Sequence, residues 1–169
     1  MQARPSIYLT NTLTRNVEEF TPLVPGEVSM YTCGPTVYSY AHIGNFRAFL
    51  MADTLRRVFE YNGYKVKQVR NITDVGHLTN DTLSTGADKI EEMARREQVT
   101  PWDIARHFTD AFLEDTKRLD MEEPACMPRA TQYIPQMIGL IERLIEREYA
   151  YEARGNVYFD VTRFPRYGA

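Results

Sequence analysis

Short apolar runs and longer amphipathic segments alternate along the first part of the 169-residue chain. Residues 8–15 predict a short strand followed by a loop, and residues 28–32 and 64–72 predict two further strands. Between these two strands, apolar residues recur at helical spacing over residues 45–62, and Gly63 follows as a C-terminal cap. The expected buried face of this helix is Ala48, Met51, Ala52, Leu55, Val58 and Phe59. A strand, a helix and a strand in this order predict a right-handed crossover unit of a parallel sheet.

Two more helices are predicted further along the chain. Thr100, Pro101 and Asp103 form a helix-start signal, with a capping hydroxyl, a proline at the first helical position and an acid three residues after the cap. This helix is expected to run to about Leu119, and a second one begins at Thr131. The expected buried residues are Ile104, Ala105, Phe108, Phe112 and Leu119 in the first helix and Ile134, Met137, Ile138, Ile141, Leu144 and Ile145 in the second.

A β-hairpin is predicted near the end of the chain. Residues 149–153 and 157–161 are two strand-like runs, and Arg154-Gly155-Asn156 between them is a turn signal. Strands and helices together place the chain in the α/β class. Because no linker or repeat divides the sequence, residues 1–169 are expected to form a single unit.

The composition narrows the class of protein. Hydrophobic residues make up 43% and aromatic residues 12% of the chain, which excludes disorder. No run of 18 apolar residues is present, so no transmembrane helix is expected, and the first 15 residues lack the apolar core of a signal peptide. The net charge of −3 gives no general attraction to nucleic acid, although a local patch could still bind RNA. Two cysteines provide no disulfide framework, so a cytoplasmic globular protein is expected.

The candidate chemistry is concentrated between residues 30 and 45. Cys33 ends an apolar strand, and His42 and Asn45 lie where the long helix begins. Backbone N–H groups at a helix N-terminus lack intrahelical acceptors and form natural phosphate sites. A glycine such as Gly44 lets the backbone approach a ligand closely. Taken singly, the histidine could equally be a helix cap and the cysteine a small buried apolar residue.

A second candidate position follows the next predicted strand. Thr73 and Asp74 come directly after the strand of residues 64–72. The carboxyl ends of parallel strands meet at one edge of a sheet, where ligands of such folds bind. We therefore expect Thr73 and Asp74 to lie close to Cys33.

The ordered string of these residues resembles a known family. Cys33-Gly34-Pro35-Thr36-Val37-Tyr38 followed by His42-Ile43-Gly44-Asn45 resembles the "HIGH" signature of class I aminoacyl-tRNA synthetases, and in particular that of the cysteinyl-tRNA synthetases. Further segments similar to that family are residues 11–15, 18–20, 53–57, 63–64, 70–74, 128–131 and 158–161. The resemblance therefore extends over nearly the whole chain.

The resemblance implies a fold and an activity. The fold is the first half of a Rossmann-like (HUP-type) parallel-sheet catalytic domain, followed by helices and a β-hairpin of the connective insertion. The activity is the ATP-dependent conversion of cysteine to cysteinyl-adenylate and its transfer to tRNA(Cys), so cysteine, ATP and tRNA(Cys) are the implied partners, with no membrane. The implied cofactors are ATP, Mg²⁺ and Zn²⁺.

It also implies roles for individual residues. His42 and Asn45 would be catalytic donors to the ATP phosphates. The ATP site would comprise Pro35, His42, Gly44 and Asn45, and the cysteine site Cys33, Gly34, Thr36, Thr73 and Asp74. Cys33 would also be one ligand of a zinc ion that binds the substrate thiolate. The family's other zinc ligands have no counterpart in this chain, so zinc is expected to bind weakly or not at all to these residues alone.

The sequence departs from the family pattern in two respects. Residues 75–88 resemble a loop insertion, where the family continues with two acidic residues and Lys-Ile; here Asp88-Lys89-Ile90 comes later. The chain also lacks a Lys-Met-Ser-Lys-like loop and anticodon-binding helices, which predicts the inactive N-terminal portion of a longer enzyme. The alternatives are a cysteine ligase of the mycothiol pathway, whose string has proline after threonine where this chain has Val37-Tyr38, and a non-catalytic nucleotide-binding module.

Overall fold

The computed structural model describes residues 5–75, 94–96 and 98–168. Its strands are β1 (Tyr8–Asn11), β2 (Asn16–Glu19), β3 (Glu27–Thr32), β4 (Lys65–Arg70), β5 (Ala150–Ala153) and β6 (Asn156–Phe159), and its long helices are α1 (Ile43–Tyr61), α2 (Pro101–Arg118) and α3 (Ile134–Glu146). Most of the predicted loop insertion, with His77, lies outside the described residues. No helix in the described ranges is long and apolar enough to cross a bilayer.

Contacts divide the chain into two compact units, Met1–Arg129 and Ala130–Ala169. Each has its own strands and helices. The sequence-based expectation that residues 1–169 form a single unit remains a prediction.

The first unit begins with a hairpin. β1 and β2 pair antiparallel, from Tyr8 with Glu19 to Asn11 with Asn16. The predicted strand and loop of residues 8–15 are therefore the first strand of this hairpin and its turn. The second strand was not predicted, because its four residues contain a single apolar side chain.

The centre of the first unit is the predicted crossover. β3 and β4 pair parallel, in register from Glu27 with Lys65 to Thr32 with Arg70, and α1 connects them. The segments that follow β3 and β4 remain hydrogen-bonded beyond the ends of the strands, since the Thr73 N–H donates to the Pro35 carbonyl at 3.0 Å. The parallel α/β architecture is thus confirmed.

Residues 126–129 lie along the other edge of β4 and pair with it in parallel through isolated bridges. The Arg70 N–H donates to the Cys126 carbonyl at 3.0 Å, and the Ile72 N–H donates to the Pro128 carbonyl at 2.8 Å. The sheet order is therefore residues 126–129, then β4, then β3. This pairing was not predicted from the sequence, because the segment is short and contains a proline, which is tolerated at a sheet edge.

The buried face of α1 differs from the predicted one. Ala52 and Phe59 are buried as expected, together with Phe49 and Asp53, whereas Met51 is 63% exposed. Ala48 and Val58 are exposed as well. The helix carries apolar residues on more than one side, so periodicity alone did not determine which side meets the sheet. The predicted cap is confirmed: Gly63 has φ of 78° and its N–H donates to the Glu60 carbonyl.

α2 begins as predicted and buries most of its predicted face. Ile104, Ala105 and Phe112 are buried, and Phe108 packs against both small core clusters of this unit. Leu119 is 43% exposed, so its predicted burial is wrong. The helix ends at Arg118 and Leu119 is its C-cap residue, beyond the last turn that faces the core.

The second unit contains α3 and the predicted hairpin. A 3₁₀ turn at Ala130–Tyr133 precedes α3, so the helix begins at Ile134 rather than at Thr131. β5 and β6 pair antiparallel around Arg154 and Gly155, both with positive φ, as a type I′ turn requires.

The predicted burial of the α3 stripe is wrong. Ile138 is 51% exposed, and Ile134, Met137 and Ile141 are exposed too, while Leu144 and Ile145 are half-buried. A helical period shows that one side is apolar. It does not show whether these residues have neighbours that cover that side.

Candidate functional site

The start of α1 is a reciprocal capping box built from His42 and Asn45. The Gly44 N–H donates to His42 Nδ1 at 3.1 Å, and the His42 N–H donates to Asn45 Oδ1 at 3.0 Å. Both side chains thus satisfy backbone donors that the helix itself leaves without acceptors. The helix begins at Ile43, two residues before the predicted start, because His42 is the N-cap and Asn45 already belongs to the first turn.

This box orients two further N–H groups. A neutral imidazole has one accepting and one donating nitrogen, so acceptance at Nδ1 places the proton of His42 on Nε2. Asn45 accepts through Oδ1 and keeps both hydrogens of Nδ2. In the part of the chain that the structure describes, neither His42 Nε2 nor Asn45 Nδ2 has a hydrogen-bond partner, and both residues are exposed. The positive end of the α1 dipole lies at the same place.

Gly44 is required by the position of the imidazole. A Cβ at residue 44 would lie 2.9 Å from His42 Cε1 and 3.1 Å from His42 Nδ1. Contacts this short would displace the ring. Gly44 therefore allows the cap that orients His42, in addition to the role of ligand approach expected from the sequence.

A cavity of about 220 Å³ lies beside this helix start. It brings together five of the residues expected in the site, namely Gly34, Pro35, Thr36, His42 and Asn45, and it is also lined by Tyr38, Ser39, Tyr40, Ala41 and Phe49. Its lining does not include Cys33, Gly44, Thr73 or Asp74. Thr73 nevertheless adjoins it, because the Thr73 N–H donates to the carbonyl of the lining residue Pro35 at 3.0 Å.

Asn71 joins the loop after β3 to the loop after β4, a role that the sequence did not indicate. Its Oδ1 accepts from the Gly34 N–H at 2.9 Å and its Nδ2 donates to Thr73 Oγ1 at 3.1 Å. A Cβ at residue 34 would lie 1.6 Å from the Asn71 carbonyl oxygen, so only glycine fits there. The available signal was the position of Asn71, directly after a strand whose carboxyl end borders the site.

Tyr40 and His107 form a second contact that the sequence did not reveal. The Tyr40 hydroxyl lies 2.9 Å from His107 Nε2, and the Tyr40 ring meets Phe108 edge to face at 5.0 Å. These contacts fasten the loop before His42 to α2. The residues are 67 positions apart, so no local pattern pairs them.

The cysteine and the acid predicted for the site lie in different environments. Cys33 is exposed after β3, whereas Asp74 is 6% exposed. A structural zinc site needs four ligands and a catalytic one at least three from the protein. Among the residues that the structure describes, no group of three or more His, Cys, Asp or Glu side chains could hold a metal ion. Cys33 with its described neighbours therefore does not fit a zinc site.

Comparison with solved structures defines the class of fold. A leucyl-tRNA synthetase of Agrobacterium radiobacter K84, solved with tRNA and LeuAMS, superposes with a TM-score of 0.60 at 21% identity, over 78% of this chain and 16% of its own. An arginyl-tRNA synthetase structure from Campylobacter jejuni gives a TM-score of 0.54 at 14% identity, over 81% of this chain and 38% of its own. The chain thus has the fold of class I synthetase catalytic domains.

Sequence comparison identifies the family within that class. The family model described as "tRNA synthetases class I (C) catalytic domain" matches residues 19–169, and the chain belongs to this family. It is 49% identical to the cysteine–tRNA ligase of Chlorobaculum tepidum over 167 residues, which is 96% of this chain and 34% of that protein. It is 50% identical to that of Novosphingobium aromaticivorans over 95% of this chain and 32% of the relative. The chain spans about a third of the length of the curated relatives it matches.

Proposed function

We propose that this chain forms the part of a cysteine–tRNA ligase that binds ATP and promotes adenylation of cysteine. In this reaction a carboxylate oxygen of cysteine attacks the α-phosphorus of ATP, the bond to the bridging oxygen breaks, and pyrophosphate leaves with that electron pair. The cysteinyl group then passes to tRNA(Cys). Family membership and the names of the relatives support this assignment.

One observation carries the proposal: the α1 capping box presents two donors at a helix N-terminus. His42 Nε2 and Asn45 Nδ2 are oriented by hydrogen bonds on their other polar atoms. Both therefore need little reorganisation to donate to phosphate oxygens. Donors fixed in advance stabilise negative charge as it develops in the transition state. His42 and Asn45 are the proposed catalytic residues.

The other residues supply binding surfaces in this proposal. Pro35 lines the cavity beside the donors and, with Gly44, is assigned to ATP. Gly34 and Thr36 line the same cavity and are assigned to cysteine, with Thr73 at its border. Cys33 and Asp74 complete the cysteine side. Positioning of this kind is a main source of rate in phosphoryl-type transfers, since the protein forms no covalent bond with the substrate.

The proposal includes two metal ions, Mg²⁺ and Zn²⁺. Mg²⁺ would accompany ATP, since it binds mainly through phosphates and water. For zinc, Cys33 would be one ligand and the others would come from outside these 169 residues. Zinc content should then fall on Cys33→Ser substitution in a protein of full family length, and unchanged stoichiometric zinc would remove Cys33 from the ligand set. The cytoplasm remains the expected location.

The test of the proposed donors uses a chimera that joins residues 1–169 to the remaining two thirds of the Chlorobaculum tepidum relative. His42→Ala should slow single-turnover formation of cysteinyl-adenylate about 100-fold or more, with little change in cysteine affinity. Thr100→Ala is the matched control, because it removes the cap of α2 without touching the site. An unchanged rate in His42→Ala would exclude His42 from the mechanism.

The same chimera separates the alternatives. Transfer of cysteine to tRNA(Cys) is expected, whereas transfer to an amino sugar would identify the mycothiol-type ligase. The 169-residue chain alone should show no cysteine-dependent exchange of pyrophosphate into ATP. Exchange by the chain at the rate of the chimera would mean that these residues contain every essential group.

A further inference from the structure

The side-chain amide of Asn71 is held in one orientation by three partners. Its Oδ1 accepts from the Gly34 N–H at 2.9 Å and from the Tyr31 hydroxyl at 3.0 Å, and its Nδ2 donates to Thr73 Oγ1 at 3.1 Å. A backbone N–H can only donate, so the atom that faces Gly34 must be the amide oxygen. The two bonds on Oδ1 use both of its lone pairs. The amide nitrogen therefore faces Thr73, and the Thr73 hydroxyl is the acceptor in that bond.

This bond determines which hydrogen-bonding capacity of Thr73 remains. A hydroxyl has one hydrogen and two lone pairs, and Asn71 occupies one lone pair. The backbone of Thr73 is already bonded to the loop after β3, since its N–H donates to the Pro35 carbonyl and its carbonyl accepts from the Val37 N–H. Among the described residues, the hydroxyl hydrogen of Thr73 has no acceptor. Thr73 therefore retains one hydrogen-bond donor.

Thr73 lies at the border of the cavity beside His42. Its backbone pairs with Thr36, which lines that cavity. Thr73 is half-buried, whereas Ile72 and Asp74 on either side of it are only 2% and 6% exposed. Thr73 is therefore the partly open residue of this segment, at the edge where the amino acid is proposed to bind.

Building on the proposed function, we infer that Asn71 is a positioning residue for the substrate amino acid. By donating to Thr73 Oγ1, Asn71 leaves the hydroxyl hydrogen of Thr73 for the carboxylate of bound cysteine. A hydroxyl forms a stronger hydrogen bond to an ionised carboxylate than to a neutral acceptor. Asn71 itself does not touch the substrate. It sets the direction of the hydrogen bond at Thr73 before the substrate binds.

Asn71→Asp reverses the direction of this hydrogen bond. The new carboxylate still accepts from the Gly34 N–H, but it can only accept from Thr73, whose hydrogen is then turned away from the substrate. Calorimetry on the chimera should show that the affinity for cysteine falls about 10-fold or more. Asn62→Asp is the matched control, because it makes the same exchange at the C-terminal end of α1, and it should leave the affinity unchanged. An unchanged affinity in Asn71→Asp would overturn the proposal.

A double-mutant cycle separates the hydrogen bond from the added charge. Thr73→Val should weaken cysteine binding about 10-fold when Asn71 is present and have little effect in the Asn71→Asp background. Thr73→Ser keeps the hydroxyl and should restore most of the affinity. Equal losses in both backgrounds would show that Asn71 joins the loops without directing Thr73, and would overturn the proposal.

Cysteamine, which is cysteine without the carboxylate, identifies the atom that the hydroxyl contacts. Its affinity should be the same in the chimera and in Thr73→Val. A loss as large as that for cysteine would assign the hydroxyl to another atom of the substrate and overturn the proposal.

Two further measurements keep the result decisive. If Asn71→Asp does not fold, Asn71→Ala removes the amide donor without adding a charge, and Thr73→Val should again cost less affinity there than beside Asn71. Because calorimetry measures binding alone, the cycle can be read in a chimera that binds cysteine without adenylating it. That result would contradict the proposed function and still test Asn71, whereas a chimera that does not bind cysteine would overturn both.

Discussion

α1 and α2 both begin with a capping box, made by different residues. In α1, the Gly44 N–H donates to His42 Nδ1, and the His42 N–H donates to Asn45 Oδ1. In α2, the Asp103 N–H donates to Thr100 Oγ1 at 3.2 Å, and the Thr100 N–H donates to Asp103 Oδ2 at 3.3 Å. Threonine and aspartate are favoured capping residues, whereas histidine is not among them. The α1 cap therefore uses a residue that stability alone would not select.

The two boxes differ in what remains after capping. The Thr100 hydroxyl donates to Asp103 at 2.5 Å, and Asp103 also accepts from Arg106, so the polar capacity of the α2 box is used internally. In the α1 box, His42 Nε2 and Asn45 Nδ2 have no hydrogen-bond partner among the described residues, and we propose that they bind phosphate. A capping motif can thus satisfy the backbone at a helix N-terminus and also present hydrogen-bond donors. The residue types in the motif determine whether such donors remain.

Exchanging the residues of the α1 box for ordinary capping residues should give the largest effect. The double variant His42→Ser with Asn45→Glu keeps a capping box and removes both spare donors. We expect cysteinyl-adenylate formation in the chimera to fall on the order of 10⁴-fold, with thermal stability unchanged or raised. Single-turnover kinetics and thermal unfolding of the same protein measure both. Unchanged adenylate formation would show that His42 and Asn45 serve mainly as a cap.

Asn45→Asp separates the cap from the donor within one residue. The carboxylate still accepts from the His42 N–H, but the Nδ2 donor is lost and a negative charge faces the phosphates. We expect adenylate formation to fall about 100-fold or more while helix content by circular dichroism is retained. Asn62→Asp, at the other end of α1, is the control and should have little effect on the rate. Equal rates in the two variants would argue against a donor role for Asn45.

Thr100→Ala tests the α2 box, which we expect to affect stability and not the reaction rate. We expect a loss of about 1 kcal/mol, typical for removal of an N-cap hydroxyl. Chemical denaturation of the chain measures this loss. Adenylate formation in the folded chimera should stay within about twofold, since α2 contributes no donor to the site. A fall as large as that of His42→Ala would contradict the distinction between the two boxes.

The smallest effect concerns pH. Hydrogen bonds from the hydroxyl and backbone of Thr100 hold the pKa of Asp103 below its ordinary value of 3.8. A depressed pKa means that the contribution to stability is complete above that ordinary value and is lost as pH falls through the lower, folded-state pKa. Carboxyl ¹³C titration should give an Asp103 midpoint below 3.8, and Thr100→Ala should raise it. An unshifted midpoint would show that Asp103 is not committed to the cap.

Local signals predicted some elements well and others poorly. The α2 start was predicted because threonine, proline and aspartate each favour a helix terminus independently of the rest of the chain. The predicted start of α1 was displaced by two residues, because histidine is an unusual cap and did not fix the helix boundary. The buried face of α1 was predicted in part, and that of α3 was wrong. In both, the period reveals an apolar side but not the neighbour that covers it.

The sequence by itself determined the crossover of β3, α1 and β4, the α2 cap and the β5–β6 turn. The cap and the turn depend on residues near in sequence, and the crossover follows a general rule for a strand, a helix and a strand in that order. Only the tertiary structure showed that Asn71 joins the two loops, that Tyr40 meets His107, and that Arg70 is buried beside the Phe49 ring. These features depend on residues brought together from distant positions. Their energies come from distances and burial, which no periodicity or motif specifies.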